Sequence, residues 1–141
     1  MRRSSTPAAR LDIDASMAAG ERLGTWLRSV MSDELGLDEP NLCRELELAV
    51  HEIWMNIVEH SYSEEGGTVT ITADREGGEV IFELFDSGCD FDPLSVPDPR
   101  PDREQVRGFG LYIVRSIMDR IVYEHTPDGN RWELTRSVGV G

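Results

Sequence analysis

The segment ELAVHEIWMNIVEHSY, residues 47–62, contains the most informative pattern in the chain. Its apolar residues recur every three or four positions and continue a stripe that begins upstream, which predicts one helix from about Pro40 to His60. At about 100° per residue, Glu52 and Asn56 fall on the same flank of this stripe. A carboxylate and a carboxamide therefore lie one turn apart at the edge of the core, where a cleft beside the helix would open. The stripe consists of Leu42, Leu46, Ala49, Ile53 and Ile57.

A second helix is predicted upstream, from about Asp14 to Leu35, because apolar residues recur there at broadly helical intervals. Asp14 or Ser16 is suited to cap its first turn, and Gly36 is suited to end it. The preceding residues are rich in Ser, Pro, Ala and Arg. Residues 1–11 are therefore interpreted as a flexible tail in front of a single domain, residues 12–141.

Downstream of the glycine pair at residues 66–67, the apolar period changes from helical to two, which predicts β-strands. Residues 69–73 alternate Val, Ile and Ala with threonine, and a second glycine pair at residues 77–78 supplies a turn. Residues 80–85 are almost wholly apolar, as expected for a central strand that is covered on both faces. This strand leads directly into Asp86.

The last third of the chain begins with an irregular segment. Residues 90–107 contain four prolines and mixed charges, so they are interpreted as a long loop, which in a compact domain is usually functional. A helix is predicted from about Gly108 to Arg120, followed by a β-hairpin over residues 121–137 that turns at Pro127-Asp-Gly-Asn. This order of elements predicts an α+β domain with a sheet and with helices on one face.

The charge of the chain excludes some classes of function. Its 141 residues carry a formal net charge of −13 at pH 7, which argues against nucleic-acid binding and favours basic protein partners. No stretch is long enough to span a bilayer, and residues 1–10 lack the apolar core of a signal peptide. Cys43 and Cys89 have no metal-site spacing and are expected to be reduced. The sequence therefore predicts a cytoplasmic protein that does not bind membranes.

Two short motifs together favour a nucleotide pocket. Asp86 can accept a hydrogen bond from the exocyclic amino group of adenine, and Gly88 lets the base approach closely. Gly108-Phe109-Gly110 begins a helix after the irregular loop, and the unpaired amides and dipole of a helix N-terminus attract phosphate. Each motif alone is equally typical of an ordinary turn or helix start, so only their combination is informative.

The pair on the long helix adds a metal ligand and a base. Asn56 offers a neutral oxygen, which suits a magnesium ion that keeps several waters and bridges phosphates. Glu52 is placed to take a proton from an attacking hydroxyl or water. Alone, the pair is typical of a solvated helix flank. With the other motifs it predicts a pocket for an adenine nucleotide, one magnesium ion and a general base.

Three segments resemble the sequence boxes of the GHKL ATPases, which include gyrase, heat-shock chaperones, histidine kinases and mismatch-repair proteins. These segments are ELAVHEIWMNIVEHSY at 47–62, FELFDSGCDFDP at 82–93 and RGFGLYIVRSIMDRI at 107–121. More narrowly, residues 12–137 resemble the bacterial anti-sigma-factor serine kinases of partner-switching systems. The pattern Glu-x-x-x-Asn-x-x-x-His and the Phe91-Asp-Pro that follows the second box carry this narrower resemblance.

The resemblance implies a two-layer α/β sandwich with a mixed, mostly antiparallel sheet, and it implies binding of ATP or ADP with Mg²⁺. By this resemblance, Glu52 activates a serine hydroxyl of a protein substrate and Asn56 holds the magnesium ion. Asp86 contacts adenine, and Gly88 shapes the same wall of the pocket.

The third box completes the nucleotide site that the resemblance implies. Its nucleotide-binding residues are Arg107, Gly108, Phe109, Gly110 and Leu111, and residues 92–107 form a lid. Arg107 is equally suited to contact a phosphate or a partner protein. The chain departs from the family pattern at Asp90, where a glycine is common, and this acid makes the rim of the pocket more negative.

The same resemblance implies three protein partners. The chain would phosphorylate a serine on an anti-sigma-factor antagonist, sequester a sigma factor or similar regulator, and form a homodimer. Two alternatives remain open, namely a non-catalytic ATP-dependent binding module and the detached ATP-binding domain of a sensor histidine kinase. The presence of Glu52 argues against the first alternative. The absence of histidine from the first predicted helix argues against the second.

Overall fold

The structure is a computed structural model, and it describes residues 6–60, 67–86 and 111–139. Within these ranges the chain forms five strands and three helices, which confirms the predicted α+β class. A single 3-10 turn, Met17–Ala19, precedes the first helix. In chain order the elements are β1 (Ala9–Asp14), α1 (Gly20–Asp33), α2 (Pro40–His60), β2 (Thr68–Glu76), β3 (Glu79–Asp86), α3 (described part 111–117), β4 (Arg120–Thr126) and β5 (Gly129–Ser137).

The five strands form one sheet in the order β1-β2-β3-β5-β4. All four pairings are antiparallel, so the described sheet is antiparallel throughout rather than mixed. Because side chains alternate along each strand, one set points towards the helices. We call this set the helix-side face, and its central residues are Ile13, Val69, Ile71, Ala73, Phe82, Leu84, Asp86, Asn130, Trp132 and Leu134.

The two long helices cover the helix-side face and share one apolar core with it. On α2 the predicted stripe is confirmed, because Leu46, Ala49, Ile53 and Ile57 are buried and Leu42 is half-buried. Trp54 beside the stripe is also fully buried and widens it. At the outer edge of the helix pair, Arg28 of α1 forms an ion pair with Glu47 of α2, with Nη1 and Oε2 2.7 Å apart.

The bounds of α2 agree with the sequence-based expectation at both ends. Proline is well suited to the first helical position, where its missing N–H is not needed, and the Glu39 side chain accepts a hydrogen bond from the Leu42 N–H at 2.7 Å. The turn before α2 passes through Gly36 at a φ of 65°, a left-handed conformation that glycine adopts without strain. Within the described ranges, no helix is both long and apolar enough to cross a membrane.

The N-terminal part of the chain differs from the expectation. The tail predicted over residues 1–11 is wrong for residues 9–11, which belong to β1, while residues 1–5 lie outside the described ranges. Leu11 and Ile13 alternate with charged residues and face the core, so this segment follows the period of a strand. The first helix consequently begins at Gly20 rather than near Asp14, and neither predicted capping residue caps it.

The C-terminal elements are shifted slightly from their predicted bounds. The helix expected to reach Arg120 ends at residue 117 in the described part, because the Asp119 N–H already donates to the Thr135 carbonyl of the sheet. The predicted hairpin is confirmed as β4 and β5, with a shorter turn at residues 127–128. Asn130, expected in that turn, is therefore the second residue of β5.

Candidate nucleotide and phosphoryl-transfer site

Glu52 and Asn56 lie one turn apart on a partly exposed flank of α2. Both side chains are half-buried, whereas Ile53 and Ile57, each one residue further along the helix, are fully buried. The helix thus anchors the pair rigidly through its apolar stripe while leaving both polar groups accessible. This arrangement suits groups that must contact a ligand beside the helix.

Asp86 lies at the C-terminal end of β3, on the helix-side face, with 0% of its surface exposed. Asp86 follows five apolar residues of the same strand, most of which are buried. Because β3 is a buried strand, the Asp86 carboxylate lies in the apolar core. A buried carboxylate is costly unless donors surround it. The structure provides one such donor on the neighbouring strand.

That donor is Asn130, whose Cα is paired with that of Asp86 across β3 and β5. The Asn130 Nδ2 donates to Asp86 Oδ1 at 3.2 Å, and the Asn130 residue is only 1% exposed. On the other side of the same amide, Asn130 Oδ1 accepts from the Tyr123 hydroxyl at 2.8 Å. The His125 Nδ1 also lies 2.7 Å from that oxygen. At this end of the sheet, the helix-side face therefore carries a group of hydrogen-bonded polar side chains rather than apolar residues.

In the sequence, seven residues separate the end of α2 from the start of β2, and Val69 near that start pairs with Asp86. Asn56 lies in the last turns of α2. We therefore expect the predicted metal ligand and the predicted adenine contact at the same end of the sheet. Leu111 opens the described part of α3 and is half-buried.

The remaining predicted nucleotide-binding residues lie outside the described residues. They are Gly88, Arg107, Gly108, Phe109 and Gly110, and the predicted lid and Asp90 lie there with them. Their roles in nucleotide binding stay predictions.

The donor set at Asn56 fits a magnesium ion that is held mainly by other groups. Among the described residues, no cluster of three or more His, Cys, Asp or Glu side chains is arranged to hold a metal ion. Magnesium bound with a nucleotide needs only one or two protein oxygens, because waters and phosphates supply the rest. A single half-buried carboxamide on α2 is compatible with that pattern.

Asn130 and Tyr123 are further candidate site residues, which the sequence did not reveal. The available signal was the period of β5, since Asn130 lies two and four residues before Trp132 and Leu134, which were predicted to share one face. Because every second residue of a strand lies on the same face, Asn130 is expected on the face of Trp132 and Leu134. Its position opposite Asp86 depends on the strand register, which no local pattern specifies.

The chain matches the family model described as the histidine kinase-like ATPase domain over residues 13–136. An anti-sigma F factor from Clostridium acetobutylicum is 34% identical over 85 residues, which cover 57% of this chain and 59% of that protein. A serine-protein kinase RsbW from Bacillus cereus is 28% identical over 90 residues, covering 57% of this chain and 56% of the relative. The match thus spans somewhat over half the length of these curated relatives.

Solved structures share the fold at lower identity. The structure of the RsbU and RsbW domains of Rv1364c from Mycobacterium tuberculosis superposes with a TM-score of 0.65 and 22% identity, over 98% of this chain and 35% of the other. The catalytic domain of histidine kinase ThkA gives a TM-score of 0.53 at 13% identity, over 94% of this chain and 99% of the other. These likenesses establish a GHKL-type fold. With the family match over most of its length, the chain belongs to the histidine kinase-like ATPase domain family.

Proposed function

We propose that this protein is an ATP-dependent protein serine kinase that also acts as an anti-sigma factor. The observation that carries the proposal is the pair Glu52 and Asn56, held one turn apart on the accessible flank of α2 in a histidine kinase-like ATPase domain. A domain that only bound nucleotide would have no need for a base beside the metal ligand. The names of two relatives, an anti-sigma F factor and a serine-protein kinase, support both halves of the proposal.

In this proposal the nucleotide lies at the end of the sheet where α2 ends. Asp86 accepts a hydrogen bond from the adenine amino group, with Gly88 against the base. Gly108 and Gly110 lie against the phosphates, flanked by Arg107, Phe109 and Leu111. The Asn56 carboxamide binds Mg²⁺, which supplies positive charge to the phosphates when it is bound.

The proposed reaction transfers the γ-phosphoryl group of ATP to a serine. Glu52 takes the proton from the serine hydroxyl, and the serine oxygen forms a bond to the γ-phosphorus. The bond from that phosphorus to the bridging oxygen breaks, and ADP leaves. Little covalent chemistry is required of the protein in such a transfer, so positioning and charge are its main contributions.

The proposed partners are a sigma factor or similar regulator and an anti-sigma-factor antagonist that supplies the serine. The net charge of −13 supports a partner with a basic surface, such as the DNA-binding surface of a sigma factor. The role requires the protein to act in the cytoplasm. We also propose that the protein works as a homodimer.

The test uses purified protein, the antagonist encoded nearest to its gene, and ATP labelled at the γ-phosphate. The proposal predicts label on a serine of the antagonist and none on a histidine of the kinase itself. Tight ATP binding without any transfer would instead support the non-catalytic binding module. Label on histidine would support a histidine kinase. Either of these results would overturn the serine kinase proposal.

A further inference from the structure

A chain of hydrogen bonds crosses three strands and ends on the carboxylate of Asp86. It begins at the Tyr123 hydroxyl on β4, which donates to Asn130 Oδ1 on β5 at 2.8 Å. It continues from Asn130 Nδ2 to Asp86 Oδ1 on β3 at 3.2 Å. Three neighbouring strands therefore contribute polar side chains to one hydrogen-bonded network at the same end of the helix-side face.

The donor and acceptor groups determine the direction of these hydrogen bonds. An amide oxygen can only accept a hydrogen bond, and an amide nitrogen can only donate. A carboxylate oxygen can only accept, so the Asn130 NH₂ group is turned towards Asp86 and the Tyr123 hydroxyl donates to the amide oxygen on the other side. The His125 Nδ1 lies 2.7 Å from the same Asn130 oxygen, and in this orientation of the amide it must carry a proton to form a hydrogen bond there.

The surroundings leave the amide little freedom to turn over. Asn130 is 1% exposed and Asp86 is fully buried, so a reversed amide would face Asp86 with an oxygen and lose both bonds. The Tyr123 ring is itself held against Trp132, with ring centroids 4.6 Å apart. Buried hydrogen bonds of this kind restrict the orientation of the Asp86 carboxylate at the end of the network.

We propose that Tyr123 and Asn130 are positioning residues that make the nucleotide site specific for a purine with a 6-amino group. They do so by holding the Asp86 carboxylate in the orientation that accepts the amino hydrogen of the base. This inference rests on the proposed function, since it requires that Asp86 contact the base. It adds that recognition of the base depends on β4 and β5, which contribute none of the predicted nucleotide contacts.

The test compares binding of two nucleotides by calorimetric titration of the full chain with Mg²⁺. One is ATP, and the other is purine riboside triphosphate, which lacks only the 6-amino group. One hydrogen bond to a carboxylate predicts that the native protein prefers ATP by about tenfold or more. Tyr123→Phe removes one hydroxyl, and it should reduce the ratio of the affinities for ATP and purine riboside triphosphate by about threefold or more. In Asn130→Val, the two nucleotides bind about equally.

Asn130→Thr is the matched control, because threonine has nearly the shape of valine and keeps a hydroxyl that can donate to Asp86. It retains the preference for ATP. If the two residues had only a structural role, Tyr123→Phe and Asn130→Val would weaken the binding of both nucleotides equally. The ratio of the two dissociation constants would then be unchanged, and this result would overturn the inference. If Asn130→Val does not fold, Tyr123→Phe decides alone.

The native protein separates this inference from the function on which it rests. If it binds neither nucleotide, the proposed function fails and this inference fails with it. If it binds ATP and transfers phosphate but does not distinguish the two nucleotides, the proposed function stands and only the specificity inference is overturned.

Discussion

Arg136 of β5 donates a hydrogen bond from Nη1 to the backbone carbonyl of Ile117, at 2.8 Å, where the described part of α3 ends. The same Nη1 lies 3.4 Å from Oε1 of Glu45 on α2. One side chain thus joins the sheet to the C-terminal end of one helix and to the flank of another. Since α3 follows directly on the glycine motif, this contact helps to fix the helix that carries the predicted phosphate contacts.

Replacing Arg136 with methionine is expected to lower the free energy of unfolding by about 1–2 kcal/mol, because a hydrogen bond from a charged group is lost while the aliphatic stem is kept. Arg10→Met is the control, since among the described residues Arg10 forms its ion pair with Asp12 and both side chains are about half exposed or more. Exposed ion pairs contribute little to stability, so Arg10→Met should change the free energy of unfolding by less than about 0.5 kcal/mol. Urea denaturation measures both. Equal effects would contradict the structural role of Arg136.

The carboxyl of Asp12 is expected to titrate below its ordinary range. The Thr70 hydroxyl donates to its Oδ1 at 2.6 Å, and this hydrogen bond, with a smaller effect of Arg10, lowers the pKa of Asp12. A lowered pKa in the folded state means that Asp12 supports folding above its unfolded pKa. This support is lost as the pH falls through the folded value.

Thr70→Val should therefore raise the pKa of Asp12 towards its ordinary value, as followed by NMR titration of the carboxyl carbon. Thr72→Val is a matched control on the same strand and the same face, opposite Arg10. It should leave the Asp12 pKa unchanged. An unchanged pKa in Thr70→Val would show that the hydroxyl is not the cause.

Asp86→Asn should separate stability from nucleotide binding. An asparagine can still present an oxygen to the Asn130 amide, and it removes a carboxylate that is buried at some cost. The free energy of unfolding is thus expected to change by less than about 1 kcal/mol or to rise. ATP affinity should fall about tenfold or more, because the carboxylate acceptor for the adenine amino group is lost. Unchanged ATP affinity in a folded variant would contradict the assigned role of Asp86.

The local sequence pattern predicts α2 well because several independent features of the sequence indicate the same helix. The apolar stripe, the proline at its first position and the length of the periodic run all favour the same helix, and Pro40–His60 is what the structure contains. The strand β1 was missed for the opposite reason. Only Leu11 and Ile13 carry its apolar signal, and its neighbours Ala9 and Arg10 have the composition of a tail. Pairing with β2 makes this short segment a strand.

The candidate site was predictable only in part, for a related reason. Glu52 and Asn56 lie on one helix, so their spacing alone specifies their geometry. The contact between Asp86 and Asn130 joins residues 44 positions apart, and it exists only because β3 and β5 pair in one register. A shift of one residue would turn Asn130 to the opposite face of the sheet. Such partners follow from tertiary structure and not from local sequence.

Glu52 is proposed to act as the general base of a serine kinase. The decisive experiment measures the single-turnover rate of γ-phosphoryl transfer from saturating ATP to the antagonist, in the native protein, Glu52→Gln and Glu45→Gln. Glu45 is an exposed acid on the same flank of α2, two turns earlier, and it serves as the control because glutamine keeps a side-chain oxygen that can accept from Arg136. We expect Glu52→Gln to lower the rate by about 100-fold or more while ATP affinity stays within about threefold, and Glu45→Gln to transfer phosphate at the native rate. A Glu52→Gln variant that binds ATP and transfers phosphate at the native rate would show that Glu52 is not the general base.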